Sequence, residues 1–310
     1  MRFNKFPICY EEPVFRPPSE SKSLLLQVTI GCSHNLCTYC EMYRSKSYRV
    51  RSQNEIEKDL FRARNFFSST TAFPRKVFLC DGDALSAEES LLLFCLEKIK
   101  FYFPAIARIG SYATASNILE KSPESLLRLK KNGLEIVYLG LETGSDSLLK
   151  KVLKDACAEE MLQASLKLKA AGIKVSTIVM IGLGGVDFLQ EHALATAAMI
   201  SKTKPEFLSF LITRPIANTP YYKMVERGTI KQLSERQCFE QMAAILQNLN
   251  LGGREFGRDH SIIFRANHVS NFLPIGGVLP RDTHVILETI RGAVVSADLR
   301  PLPLNFSGPM

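Results

Sequence analysis

The sequence predicts an α/β fold, and three observations carry that expectation. Near-continuous apolar strands alternate with amphipathic helices six times between residue 23 and about residue 215, the pattern of a parallel sheet covered by helices. Six such units in a row suit a partial (β/α)6 TIM-like barrel, or alternatively a doubly wound sheet. Small and polar residues gather just past each strand: GC at 31–32, DGD at 81–83, YATAS at 112–116, LETGS at 141–145, GLGG at 182–185 and TRPIANT at 213–219. In either architecture reactive groups sit at those C-terminal strand ends. Past residue 250 the alternation stops. The expected organisation is an extended arm over 1–22, a core domain over 23–250 and a small C-terminal appendage over 251–310 that covers the barrel.

The elements follow in order. Pro13, Pro17 and Pro18 exclude regular helix from the arm. SLLLQVTIG reads as the first strand and QNEIEKDLFRARNFF as the first helix. RKVFLCDGD is a strand and AEESLLLFCLEKIKFYF a helix. RIGSYATAS is a strand, followed by PESLLRLKKNG, a helix closed by Gly133. EIVYLGLET is a strand, with SDSLLKKVLK and AEEMLQASLKLKAAG as helices. KVSTIVMIGLGG, FLQEHALATAAMISKT and EFLSFLITRP are strand, helix and sixth strand. In the appendage LGGREFGRDH is turn-rich, SIIFRANH a short strand, PIGGVLPRD a loop and DTHVILETIRGAVVS a final helix.

Composition narrows the class. Hydrophobic residues are 46% and charged residues 23%, ordinary for a globular protein. No run reaches the roughly 20 apolar residues of a membrane span. The polar, proline-broken N-terminus lacks a secretory core, so a cytoplasmic location is expected. The net charge is +8, but the basic residues are spread over helices such as LLRLKKNG. There is no polybasic tail or aromatic–basic interleaving of a nucleic-acid module.

Eight cysteines are present. Cys9, Cys80, Cys95, Cys157 and Cys238 are scattered, mostly in apolar runs where a free buried thiol is the plain reading. Cys32, Cys37 and Cys40 cluster in GCSHNLCTYCEMY, just after the first strand. Three thiolates on one loop can hold three corners of a cubane cluster and leave the fourth iron open. Structural zinc takes four ligands, and no second cysteine pair exists, although His34 could complete a Cys3His site. A redox dithiol at CTYC would leave Cys32 without a role.

This loop resembles the cluster motif of radical S-adenosylmethionine (radical SAM) enzymes. It has four residues between the first two cysteines where the commonest family spacing has three. Tyr39 stands at the family's aromatic position before the last cysteine, near the adenine. DGDAL at 81–85 resembles the second-strand motif that binds the methionine amino group, with Asp81-Gly82-Asp83 in place of Gly-Gly-Glu. LGLETGSDSLLK at 139–150 is similar to the fourth-strand segment of the subgroup containing methylthiotransferases and elongator-type tRNA-modifying enzymes, which maps cofactor contacts to Glu142 and Ser145. VMIGLGG resembles the fifth-strand glycine motif beside the adenine, here Gly182 and Gly184 with Gly185. The resemblance covers about residues 23–220.

It implies a 4Fe-4S cluster and S-adenosylmethionine as cofactors. It also implies one-electron cleavage of the sulfonium to methionine and a 5′-deoxyadenosyl radical, which takes hydrogen from a substrate that is a small molecule, a peptide or RNA. A low-potential donor such as flavodoxin or ferredoxin is the implied partner. The chemistry of the residues agrees: Asp83 can accept from an ammonium, Glu142 from ribose hydroxyls, and glycines let backbone approach a flat base. Arg44, Lys46, Arg49 and Arg51 follow the loop and can meet a carboxylate or an acidic donor. The competing class is an iron–sulfur or zinc-bearing barrel that binds a ligand without radical chemistry. On the substrate side, Arg214, Arg265, Asn267, His268 and Asn271 stand beside apolar runs or turns. Arg265 and His268 are the catalytic candidates, as anion binder and proton-transfer group; the other reading is that such residues tie the appendage to the barrel.

Overall fold

The computed structural model describes residues 8–70, 73–252 and 261–304. In chain order the elements are β1 (Leu24–Gln27), β2 (Thr29–Ile30), β3 (Arg49–Val50), α1 (Gln53–Ser68), β4 (Lys76–Cys80), α2 (Glu89–Tyr102), β5 (Arg108–Ala113), α3 (Ala115–Glu120), α4 (Pro123–Lys131) and β6 (Leu134–Glu142). They continue with α5 (Asp146–Lys151), α6 (Ala158–Ala170), β7 (Lys174–Ile181), α7 (Leu189–Thr203), β8 (Phe207–Ile212), α8 (Pro220–Glu226), α9 (Glu235–Gln247), β9 (Ile262–Ala266), β10 (Ile275–Leu279) and α10 (Thr283–Ser296). The result is a mostly parallel sheet with helices, as the alternation predicts.

The chain divides into two compact units. The first holds the residues up to Asn35, Met42–Tyr138 and Lys167–Lys174. In it β1, β4 and β5 pair in parallel, with Leu24 opposite Val77 and Lys76 opposite Arg108. Both faces are buried: Leu26 and Ile109 on one and Phe78 on the other are all but inaccessible. Phe78, Tyr112 and Tyr138 meet edge to face, with ring centroids 4.8 to 6.1 Å apart. The helices start where local chemistry dictates. Ser52 and Glu55 form a reciprocal capping box at α1, and Ser122 caps α4 ahead of Pro123. Gly133 follows α4 with φ 110, so its assignment as the helix stop holds.

The second unit holds Leu36–Glu41, Leu139–Leu166 and the chain from Val175 onward. Here β7 and β8 pair in parallel from Ser176↔Phe207 to Ile181↔Ile212. The parallel run does not stop there: β9 adds to β8 in parallel, and β10 adds antiparallel to β9. α9 packs against both α7 and α10.

Several local expectations need correction. SLLLQVTIG is two strands, because β2 leaves β1 to pair antiparallel with β3. The end of RIGSYATAS opens α3, capped by Thr114. PIGGVLPRD contains a strand, not only a loop: Gly276 and Gly277 are tolerated inside β10, and Pro280 falls just outside it. Two helices, α8 and α9, occupy 220–247, a stretch with no expected element, although Cys238, Phe239, Met242, Ile245 and Leu246 form a buried apolar stripe along α9; polar caps at Thr219 and Ser234 start them. Most of LGGREFGRDH lies outside the described residues. Among the described residues no helix is long and apolar enough to cross a membrane.

Candidate active site

The cysteine loop spans 31–48 and is closed at its neck by the two-residue β2–β3 ladder. None of its three cysteines is in a disulfide, and all three are partly exposed. The buried cysteines differ: burial pushes the Cys95 and Cys238 thiols up to about 12, so neither is a nucleophile or a ready ligand. Cys9 and Cys157 are exposed. Among the described residues, no three His, Cys, Asp or Glu side chains converge at metal-binding distance.

In the first unit, Cys32 lies against the turn that ends β4. A Cβ on Gly82 would come within 2.7 Å of the Tyr43 ring and 3.1 Å of the Cys32 Cβ, so only glycine fits there. Asp83 is fully buried. Its carboxylate accepts from Ser33 Oγ, from Asn117 Nδ2 and from the Thr114 amide at 3.3 Å. That set ties Asp83 to the residue after Cys32 and to the start of α3. Asp81 is also fully buried, and both of its oxygens are taken by the chain itself. It accepts from Gln27 Nε2 at 3.0 Å, from the Gly31 amide at 2.9 Å and from Lys46 Nζ at 2.7 Å. Lys46 is thus paired, as are Arg49 with Glu11 and Glu55, and Arg51 with Asp59 at 2.8 Å.

In the second unit, the stretch carrying Cys37, Tyr39 and Cys40 is held by its backbone. The Thr38 amide donates to the Val152 carbonyl at 2.9 Å, and the Thr38 carbonyl accepts from the Tyr221 amide at 3.0 Å. Tyr39 packs against Leu148, Val152, Leu183, Tyr221 and Ile230. Its hydroxyl hydrogen-bonds Glu142, and burial together with the Glu142 charge raises its pKa well above the usual tyrosine value. Burial raises the Cys37 thiol, opposed chiefly by the nearby Lys154 charge.

Glu142 sits at the end of β6 with φ 62 and pairs with Lys154 Nζ at 3.2 Å. Its carboxylate folds back over Gly140, where a Cβ would lie 2.2 Å from Oε1. Burial works against the Lys154 charge, but Glu142, Cys37 and Asp155 outweigh it and hold that pKa above the ordinary lysine value. Ser145 caps α5 by accepting from the Leu148 amide at 3.1 Å, and its hydroxyl donates to Glu191.

The glycine turn after β7 is shaped by the chain's own neighbours. Gly182 and Gly185 take positive φ. A Cβ on Gly184 would meet Phe188 at 2.4 Å, and one on Gly185 the Lys231 carbonyl at 2.3 Å. The Gly182 amide donates to Gln241 at 2.8 Å, and the Tyr221 hydroxyl donates to the Leu183 carbonyl at 3.0 Å.

The residues named for the substrate side are placed as follows. Arg214 donates to the Ser270 carbonyl at 2.8 Å, and Asn271 bonds both the Phe210 carbonyl and the Ile212 amide of β8. His268 accepts from the Ser270 amide at 3.1 Å and closes its own turn; burial lowers its pKa. Arg265 and Asn267 are exposed. Arg214 and Asn271 therefore do tie this turn to the sheet.

Sequence reasoning missed Lys154, Gly140, Ser33 and Asn117. Lys154 reads as one more lysine on a solvated helix face, but α5 ends at Lys151 and Leu153 takes φ 55, which turns Lys154 inward. Ser33 and Asn117 carry no spacing signal, because their partner Asp83 is remote in sequence.

A radical SAM superfamily profile matches residues 26–196, more than half of the chain. The chain is 23% identical over 231 residues to the heme chaperone HemW of Bacillus subtilis (strain 168), covering 72% of this chain and 58% of that one. Among solved structures it resembles the cobalamin-dependent S-adenosylmethionine radical enzyme OxsB, with TM-score 0.57, 15% identity, and 73% of this chain and 41% of that one covered. The radical S-adenosylmethionine methyltransferase TsrM from Kitasatospora setae gives 0.53 and 16%, with 66% and 39% covered. Methylornithine synthase PylB gives 0.51 and 16%, with 73% and 63% covered. The chain thus spans less than two thirds of the length of each, and at these identities the solved structures speak for the fold alone. The superfamily match, together with a three-cysteine loop after the first strand of a mostly parallel α/β sheet, makes this chain a member of the radical SAM superfamily, whose cofactors are a 4Fe-4S cluster and S-adenosylmethionine.

Proposed function

We propose that this chain is an enzyme that cleaves S-adenosylmethionine reductively at a 4Fe-4S cluster held by Cys32, Cys37 and Cys40. The observation that carries the reading is the loop itself: three partly exposed cysteines within nine residues, none in a disulfide, inside the segment that matches the superfamily. The donor set fits the group, since three thiolates suit a cubane with one open iron. Held by these three cysteines, a reduced cluster would supply the one electron that splits a carbon–sulfur bond of the sulfonium into methionine and an adenosyl fragment able to take hydrogen from a substrate.

The chain's own residues bind, orient and exclude water. Asp83, oriented by Ser33 and Asn117, is the acceptor for the methionine ammonium. Glu142, restrained by Lys154 and Tyr39, accepts from ribose hydroxyls, and the Gly182–Gly185 turn offers backbone to the adenine. Ser145 acts through the position of α5. Low dielectric around the buried Asp83 and Glu142 strengthens such charge-assisted bonds. Electrons come from a low-potential donor such as flavodoxin or ferredoxin, which with the thiolate chemistry asks for a reducing, cytoplasmic setting.

A second reading draws on the heme chaperone relative: a barrel that carries a ligand and uses the cluster for regulation. One experiment separates the two. Anaerobically reconstituted protein should hold about four irons and release methionine and 5′-deoxyadenosine under dithionite. Cluster retention with no cleavage of S-adenosylmethionine, with or without candidate substrates, would favour the carrier.

A further inference from the structure

The buried pair Lys46–Asp81 takes no part in the chemistry above, yet it joins the two ends of the cysteine loop. Asp81 is wholly buried, and the Lys46 side chain is 2% exposed. One oxygen of Asp81 accepts both from Lys46, on the exit side of the loop, and from the amide of Gly31, the residue before Cys32. The other oxygen accepts from Gln27 at the end of β1. Lys46 also donates to the Glu11 carbonyl, and Gln27 exchanges two 3.0 Å hydrogen bonds with the Glu11 backbone. The Lys46 ammonium lies 5.4 Å from the Tyr43 ring centroid, and Phe15 of the arm meets Tyr43 edge-on at 5.6 Å. One polar network therefore binds the arm, the end of β1, both ends of the loop and the end of β4.

Taking two charges out of water is costly, and an apolar pair of the same volume often gives equal stability. Stability alone therefore does not account for an ion pair here. What the pair does, and an apolar pair would not, is hold the Gly31 amide and the loop exit on one carboxylate. We propose that Lys46 and Asp81 are positioning residues, a clasp that holds the cluster-bearing loop in register. This rests on the reading of Cys32, Cys37 and Cys40 as the cluster ligands. It assigns Asp81 to the loop rather than to S-adenosylmethionine, unlike the expectation from sequence.

The test uses the full chain, reconstituted anaerobically, as wild type, Lys46→Met/Asp81→Asn and Lys46→Arg. The double variant leaves no unpaired buried charge, and the carboxamide introduced by Asp81→Asn still offers an oxygen to Gly31. The clasp predicts a double variant with a melting temperature close to wild type that loses iron to a chelator about tenfold faster or more, the usual scale for partners of metal ligands. Its reduced cluster should give a broadened electron paramagnetic resonance spectrum, and Lys46→Arg should restore both the rate and the line shape. Iron loss at the wild-type rate in the double variant, or Lys46→Arg as labile as the double variant, overturns the clasp. Should the double variant not fold, hydrogen exchange of the wild-type apoprotein decides. The Gly31 amide should exchange about tenfold or more slowly than the amides of residues 33–36, and equal exchange overturns the proposal. Wild-type protein that binds no iron at all would remove the cluster reading itself, a result distinct from any of these.

Discussion

Cys32 and Cys37 are five positions apart and are held in different ways. Around Cys32 the chain uses side-chain charge: Asp81 on the Gly31 amide and Lys46, Asp83 on Ser33, and Gly82 closing against Tyr43. Around Cys37 it relies more on backbone and packing: Thr38 is bonded to Val152 and Tyr221 and Tyr39 is set into an apolar cluster, with one buried pair, Glu142–Lys154, reaching the Tyr39 hydroxyl. Charge networks fix direction but fail abruptly when one partner is lost, because the other is left buried and unpaired. Backbone bonds survive any substitution that keeps the fold. The first half of the loop should therefore be sensitive to single side chains, and the second half tolerant at positions such as Thr38 that are held through the backbone alone.

The largest expected effect falls on both halves alike. Cys32→Ala, Cys37→Ala and Cys40→Ala should each abolish the cluster, read as iron per chain after anaerobic reconstitution, while Cys95→Ala should keep the full content. Retention in the triple variant would remove the premise of the comparison.

Next comes Gly82→Val against Thr38→Ala. Valine at 82 drives a branched side chain into Tyr43 and Cys32 and should cut iron content severely. Thr38→Ala keeps the backbone bonds that matter and should leave iron content near wild type. The reverse order would invert the account of the two halves.

A smaller effect is expected on cofactor affinity. Asp83→Ala and Glu142→Ala each remove a charged acceptor, worth about 1–3 kcal/mol, or roughly five- to 150-fold in the dissociation constant of S-adenosylmethionine. Calorimetry on the reconstituted protein measures it. Glu142→Ala should keep its iron, whereas Asp83→Ala should lose some, because only Asp83 also holds the residue after Cys32. Equal iron content in the two variants would count against the contrast.

The smallest effect is expected far from the loop. His268→Ala removes a turn bond and should lower stability by about 1 kcal/mol, with iron content and uncoupled cleavage of S-adenosylmethionine unchanged. Loss of substrate turnover in that variant would restore His268 as a catalytic group.

The parallel strands were legible because their apolar runs leave few alternatives. The loop stood out because three cysteines at short spacing have few uses, and the superfamily match covers it. What could not be read was long-range pairing. Lys46 looks like any exposed lysine until Asp81 is placed beside it, and nothing in the spacing links Asp81 to the Gly31 amide fifty residues earlier. β10 was hidden by its glycines and α8 by its shortness and single buried Tyr221, whereas α9 was readable from its Ser234 capping box and its stripe of Cys238, Phe239, Met242, Ile245 and Leu246. The helical end at Lys151, which turns Lys154 toward Glu142, depends on a positive φ at Leu153 that no periodicity announces.

The central claim is that the cluster on this loop leaves an iron open for S-adenosylmethionine. Electron paramagnetic resonance of the dithionite-reduced protein, recorded before and after adding S-adenosylmethionine, tests it most directly. The account predicts a 4Fe-4S signal whose g values shift on addition, and no such signal in Cys37→Ala. A spectrum unchanged by S-adenosylmethionine, or a full signal surviving in Cys37→Ala, would contradict it.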